Sequence, residues 1–191
     1  MEATQDLLWE QGYSATSPKD IMRRSGAGQG SMYHHFTNKQ ELAVVALECS
    51  AQSMRQDAEK LLATDGSAYE IATAYLRRQR DVLKGCRMGR MTFDADVLNT
   101  PELIEPVKRT FVWLLEALTV LFERGRDQGE FAADIDARNL ASLVVATVQG
   151  GYVLARAIRD TDAFDAAVEG AAALLRKATV PLTTEVSDHS E

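Results

Sequence analysis

The run from Ala137 to Ile158 constrains this chain more than any other stretch of its sequence. Placed on a helix, Leu140, Val144, Thr147, Gly151 and Leu154 form one stripe, and Leu143, Val145, Val148, Tyr152 and Ala155 fill most of the remaining circumference. A helix that is apolar nearly all round must be covered on more than one side. Its small residues, Ala141, Gly150, Gly151 and Ala155, let a second helix come close. The following segment, Asp162 to about Lys177, carries Phe164, Val168, Ala171, Leu174 and Leu175 as its own stripe. Two such helices at the end of a chain predict a self-associating four-helix bundle, two helices from each subunit. Thr147, Gly151, Leu154, Phe164, Val168, Ala171 and Leu175 are the expected homodimer contacts. The alternative is that the pair fills the core of a single subunit.

Composition supports helix elsewhere too. The 191 residues are 46% hydrophobic and 26% charged, with only four prolines and twelve glycines. That balance excludes a disordered chain, a collagen-like one and a small disulfide scaffold. Cys49 and Cys86 belong to no CxxC pair, so neither a zinc site nor a disulfide framework is expected. Ser142, Thr147 and Gln149 interrupt the most apolar run, which falls short of the ~18–20 residues of a membrane span. Met1 is followed by an acidic residue rather than the basic start of a signal peptide. The expectation is a cytoplasmic, all-α protein with no membrane partner.

Periodicity and capping residues predict about nine helices. They run from Met1 to Gln11, Pro18 to Ser25, Gln29 to Phe36, Lys39 to about Leu62, Tyr69 to Lys84, Arg90 to Leu98, Pro101 to Gly125 or Gly129, Ala137 to Ile158, and Asp162 to Lys177. Gly85 to Gly89 is read as irregular. Ser17 with Asp20, and Asn38 with Glu41, have the spacing of capping boxes, and Pro18 suits a first helical position.

The stretch from Ser17 to Phe36 is the one that carries function. It reads as a helix, a glycine-bearing turn and a second short helix, the pattern of a helix-turn-helix. Gly30, Ser31 and His34 point away from Met32 and Phe36, flanked by Gln29 and Tyr33. Gly30 costs a helix about 1 kcal/mol relative to Ala, and close approach to a DNA backbone would offset it. Charge agrees locally. The chain has a net charge of −7, yet residues 16–40 hold Lys19, Arg23, Arg24 and Lys39 against Asp20 alone. A small basic island in an acidic protein fits a phosphate-docking surface, although an ordinary solvated patch has the same composition.

The pieces Gly12-Tyr13-Ser14-Ala15-Thr16-Ser17, Asp20-Ile21, Gly30-Ser31-Met32-Tyr33-His34-His35-Phe36 and Lys39-Gln40-Glu41-Leu42 together resemble the DNA-binding domain of TetR-type bacterial transcriptional regulators. The resemblance covers nearly all of residues 1–48, and the rest is similar to that family only in architecture. It implies a helix-turn-helix domain at 1–48, a helical ligand-binding and dimerisation domain at 49–180, and a flexible tail at 181–191. It further implies that Gln29, Gly30, Ser31, Tyr33 and His34 meet bases or phosphates in the major groove, while Thr16, Ser17 and Lys39 hold phosphates. The partners implied are a double-stranded DNA operator, a second copy of the chain and a small hydrophobic effector; no cofactor is implied. The chain departs from the family where Gly28 replaces a serine N-cap, where Gln29 replaces a lysine, and in starting with a short first helix. The alternative that the short start raises is a helical ligand- or partner-binding dimer without DNA binding.

Other constellations are weak. His34 and His35 are adjacent and point about 100° apart, so no metal site is expected. Asp94 and Asp96 read as a solvated face or a cap, and no catalytic motif occurs, so the chain is not expected to be an enzyme. Tyr75, Met88, Met91, Phe93, Phe111, Trp113 and Tyr152 are the candidates for an apolar ligand pocket, or for plain core.

Overall fold

Local signals shape the first elements. Helix α1 (Glu2–Gln11) stops at Gly12, whose φ of 87° suits a residue without a side chain and whose N–H donates to the Leu8 carbonyl. Helix α2 (Pro18–Ser25) starts at a complete capping box, Ser17 with Asp20, and closes at Gly26 in the left-handed conformation. Helix α3 (Lys39–Leu62) is capped by Asn38, whose side chain accepts from the Glu41 amide, while Glu41 reaches back to the Thr37 amide at 2.7 Å. Residues 1–26 and 34–180 are the ones described in this computed structural model. The expected turn after Gly26 and the helix through Gln29, Gly30, Ser31 and Tyr33 lie outside them, as does the expected tail from residue 181.

Beyond Gly66 the order is α4 (Ala68–Arg77), α5 (Arg87–Met91), α6 (Ala95–Asn99), α7 (Pro101–Asp127), α8 (Ala137–Ile158) and α9 (Asp162–Ala178), which makes nine helices among the described residues. Two expectations need correction. Helix α4 ends at Arg77, not Lys84, although no glycine or proline intervenes. The Arg80 guanidinium folds back and donates to the carbonyls of Tyr75, Leu76 and Arg78, serving as a cap no propensity could reveal. The helix expected from Arg90 to Leu98 is two helices. The first starts earlier, behind Cys86, and Asp94 interrupts the run by capping α6 through the amides of Asp96 and Val97.

Three cores hold the molecule. A small one joins Leu7, Ile21 and Leu42, with Met22 and Phe36 against it. A second links Leu8, Ala43, Ala46 and Leu47 to Met88, Met91, Val97, Leu103 and Val107. The largest runs through α4, α7, α8 and α9 around Ile71, Phe122, Phe131, Val144 and Leu175. Helix α3 contributes to all three, so it crosses residues 48 and 49 without a break.

Candidate functional site

The N-terminal end of α2 shows how the expected phosphate contacts are used. Thr16 is 1% exposed, and its hydroxyl donates to the Gly12 carbonyl at 2.6 Å. That corrects its expected role: a hydroxyl committed to the turn cannot also reach a phosphate. The Ser17 hydroxyl accepts from the Asp20 amide and donates to the Asp20 carboxylate at 2.5 Å. Those bonds from Ser17 hold the Asp20 carboxyl below its usual range. Both residues therefore set the angle of α2. His34 and His35 are helical and exposed, with their rings edge to face.

The basic island is unevenly engaged. Arg23 pairs with Asp20 and Arg24 with Glu10, each at 2.7 Å on the surface, where such pairs hold little free energy and can yield to a phosphate. Lys19 is exposed and makes no ion pair with a described residue. Lys39 opens α3 with its ammonium 4.0 Å above the centre of the Tyr13 ring. Burial pushes its pKa down, against the opposing pull of Asp94 and Asp96.

Those two carboxylates mark a contact that sequence reasoning read only as a cap or a solvated face. Asp94 accepts from the Ser14 amide at 2.8 Å and from its hydroxyl at 2.5 Å, and Asp96 accepts from the same hydroxyl at 2.9 Å. Burial raises the Asp94 pKa, but the bonds from Ser14, Val97 and Asp96 outweigh it and leave the carboxyl below its usual range. The turn after α1 is thereby fastened to α6. Further along α1, the Trp9 indole donates to the Gly85 carbonyl at 3.0 Å, and Arg87 pairs with Asp6 while lying 4.1 Å over the Trp9 ring. No sequence pattern joins residues eighty positions apart; only the fold does.

Trp9 and Gly85 also belong to the wall of an open cavity of about 480 Å³, bordered by α3, α4, α7, α8, the 78–86 loop and the start of α5. That is within the usual ~300–1,000 Å³ of small-molecule sites. Of the expected pocket residues, Tyr75 and Tyr152 line it, joined by Met54, Leu114, Arg78, Arg80 and Gln149. The others do not. Met88 and Met91 fill the core under α1, and Phe93 is 74% exposed because it sits in the turn between α5 and α6. Phe111 packs between two cores, and Trp113 sits on an outer groove under Arg55. The cavity is also more polar than expected. Burial drives the Tyr152 phenol up to about 12, so at neutral pH it is a hydrogen-bond donor. A second concavity of about 760 Å³ lies between α7 and the start of α8, lined by charged residues of both signs, including Arg126 and Arg138, and by aliphatic residues, without an aromatic.

The last two helices bury a different face from the one expected to meet a second subunit. Gly151, Phe164, Val168, Ala171 and Leu175 all point into their own subunit, with the Phe164 ring 2.7 Å from where a Gly151 Cβ would stand. Thr147 is half-buried. Of the seven, Leu154 alone is largely exposed, and it belongs to an outward stripe with Leu143, Ala146, Gly150, Val153 and Ala157. Ala166, Gly170, Ala173 and Leu174 continue that surface on α9. By length and composition alone α8 could cross a membrane, with a mean hydropathy of 1.4 in a window that is 33% buried. Its cap at Asp136 and its packing against α7 and α9 identify it as a core helix with one bare side.

Comparison with known proteins covers both halves. A family model described as bacterial regulatory proteins of the tetR family matches residues 1–46, and one described as the tetracyclin repressor-like C-terminal domain matches residues 66–171. An uncharacterized HTH-type transcriptional regulator of Bacillus subtilis, YxaF, is 24% identical over 178 residues, covering 90% of each chain. A TetR transcriptional regulator from Chloroflexus aurantiacus superimposes with a TM-score of 0.83 at 27% identity, covering 93% of each chain. The regulator FadR of Bacillus subtilis, solved in complex with stearoyl-CoA, shares the fold at 16% identity, with a TM-score of 0.71 over 93% of this chain and 96% of its own.

Proposed function

This chain belongs to the TetR family of bacterial regulatory proteins, and from that premise we propose that it is a homodimeric repressor released from a palindromic operator by a small-molecule effector. It is a transcriptional regulator, not an enzyme, with an N-terminal helix-turn-helix DNA-binding domain and a C-terminal ligand-binding domain. We divide them at residues 48 and 49 and place the protein in the cytoplasm.

The observation that carries the mechanism is the double engagement of α1. Its Leu7 belongs to the core that seats α2, and its Trp9 is hydrogen-bonded to the wall of the cavity. An effector that favours a different position of the 78–86 loop therefore favours a different position of α1 and of the DNA-reading segment behind it. Coupling of this kind is typically about 1–3 kcal/mol, or ~5–150-fold in DNA affinity. The second subunit covers the outward stripe of α8 and α9. In the groove, Gln29, Gly30, Ser31, Tyr33 and His34 make base or backbone contacts and Lys39 anchors a phosphate. In the FadR structure the same fold is in complex with a small molecule, stearoyl-CoA.

Selection of bound fragments from random duplex DNA tests the reading. Enrichment of a palindrome is the expected result. Recovery of no sequence, or of an asymmetric one, overturns the dimeric repressor.

A further inference from the structure

The charges around the central cavity are not all compensated. Asp57 and Asp81 on its wall each have a lysine 3.9 Å away, Lys60 and Lys84, and Arg87 is paired with Asp6 at 2.9 Å. Arg78 and Arg80 have no carboxylate within ion-pair distance among the described residues. Arg78 lies 4.7 Å over the Tyr75 ring. Arg80 spends its terminal nitrogens on three backbone carbonyls, and its Nε is buried without a partner among the described residues. A half-buried guanidinium with an unpaired Nε is costly to keep without an opposite charge nearby. Beside it the wall offers the Tyr152 phenol and the apolar side chains of Met54, Leu61, Leu114 and Val148, while the rings of Tyr75 and Trp9 each already carry two cations over them. Two cations, a phenolic donor and an apolar wall form a site with one unmet requirement, a negative charge on a largely apolar ligand.

We propose that the effector is an aromatic or amphipathic monoanion, such as a carboxylate or sulfonate, whose acidic group is held by Arg78, with the charge of Arg80 behind it, and whose apolar body lies against Leu114, Val148 and Tyr152. This rests on the reading of the cavity as the effector site and adds the ligand's chemical class. A planar oxyanion accepts two parallel N–H bonds from a guanidinium, a geometry that a neutral ligand cannot match. The site also lies next to the Gly85 carbonyl that holds Trp9, so neutralising Arg78 and Arg80 acts on the same loop that positions α1.

The test uses two fluorescent probes that differ by one group: 1-anilinonaphthalene-8-sulfonate and its neutral counterpart N-phenyl-1-naphthylamine. Each is titrated into the full chain, and the expected result is that the sulfonate binds roughly 10-fold or more tighter than the neutral amine. Arg80→Gln removes a helix cap and can unfold the region, so Arg78→Gln, which loses no backbone hydrogen bond, is the second arm. In Arg78→Gln the sulfonate weakens about 10-fold, while the neutral probe stays within about two-fold. Equal affinity of the two probes in the natural protein overturns the anion preference while leaving the cavity reading intact. A sulfonate preference unchanged in both variants overturns the assignment to these arginines. Failure of both probes to bind removes the cavity as an effector site, and this inference with it.

Discussion

The N-terminal module and the C-terminal bundle balance local caps and shared core differently. The first rests on a core of Leu7, Ile21 and Leu42, and its shape comes from caps: Gly12 closing α1, Ser17 with Asp20 opening α2, Asn38 opening α3. The second is capped as well, by Ser67 with Glu70 at α4, Asp94 at α6 and Asp136 at α8, but most of its burial lies in one large core shared by α4, α7, α8 and α9. A module built from local signals and fastened at a few polar points can tilt as a unit. One built from interdigitated side chains is bistable rather than soft. That division suits a regulator in which the ligand must move the reading head without dissolving the sensor.

The contrast can be broken most directly at two adjacent glycines of α8. Gly151→Arg drives a long charged side chain into the Phe164 ring and should cost about 4 kcal/mol or more, read as loss of cooperative unfolding in denaturant. Gly150 faces open space, and Gly150→Arg should leave subunit stability within about 0.5 kcal/mol. Sedimentation of that variant should show monomer if the outward stripe is the dimer face. A stable Gly151→Arg dimer, or an unaffected Gly150→Arg dimer, would relocate the core or the interface.

Next in size is Ile21→Ala, which removes about a third of the small N-terminal core and should cost about 2–4 kcal/mol. Hydrogen exchange should show the loss confined to residues before α4. Exchange that rises equally throughout the bundle would deny the two modules their separate stabilities. Ser17→Ala should cost about 1 kcal/mol through the lost cap, and it should weaken specific and random DNA in the same proportion. A selective loss on the operator would give Ser17 a part in reading the sequence instead.

The polar fastening is the smallest effect and the most informative about coupling. Because Asp94 titrates below its ordinary range in the folded protein, it contributes stability above the unfolded pKa near 4, and this is lost as pH falls through the lowered folded value. Asp94→Asn should therefore cost about 1 kcal/mol or less at neutral pH and flatten the acid limb of the stability curve. An acid limb identical to that of the natural protein would mean that Ser14 is held by something else. Lys39→Ala should lower the salt slope of DNA binding by about one charge per subunit, on operator and scrambled duplex alike.

How far each region could be read in advance follows from the same difference. The α2 and α3 starts were legible because a cap is a short-range bond between residues three or four apart, and the sequence shows both partners. The end of α4 was not, because its stop signal is the Arg80 guanidinium rather than a glycine or proline. Five of the seven expected pocket residues were misplaced for a related reason. Met88 and Phe93 are both apolar and five residues apart, yet one is fully buried under α1 and the other is exposed in a turn.

The sequence by itself determined the helical class, the order of the long helices, the capped helix-turn-helix start and the family, since these depend on periodicity and on contacts between near neighbours. Only the tertiary structure decided which side of α8 is inside, because a helix apolar nearly all round has no preferred face until its partners choose one. It alone set Trp9 on the Gly85 carbonyl, Ser14 on Asp94, and two uncompensated arginines beside Tyr152. Those are contacts between residues far apart in the chain, where spacing carries no information and packing carries all of it.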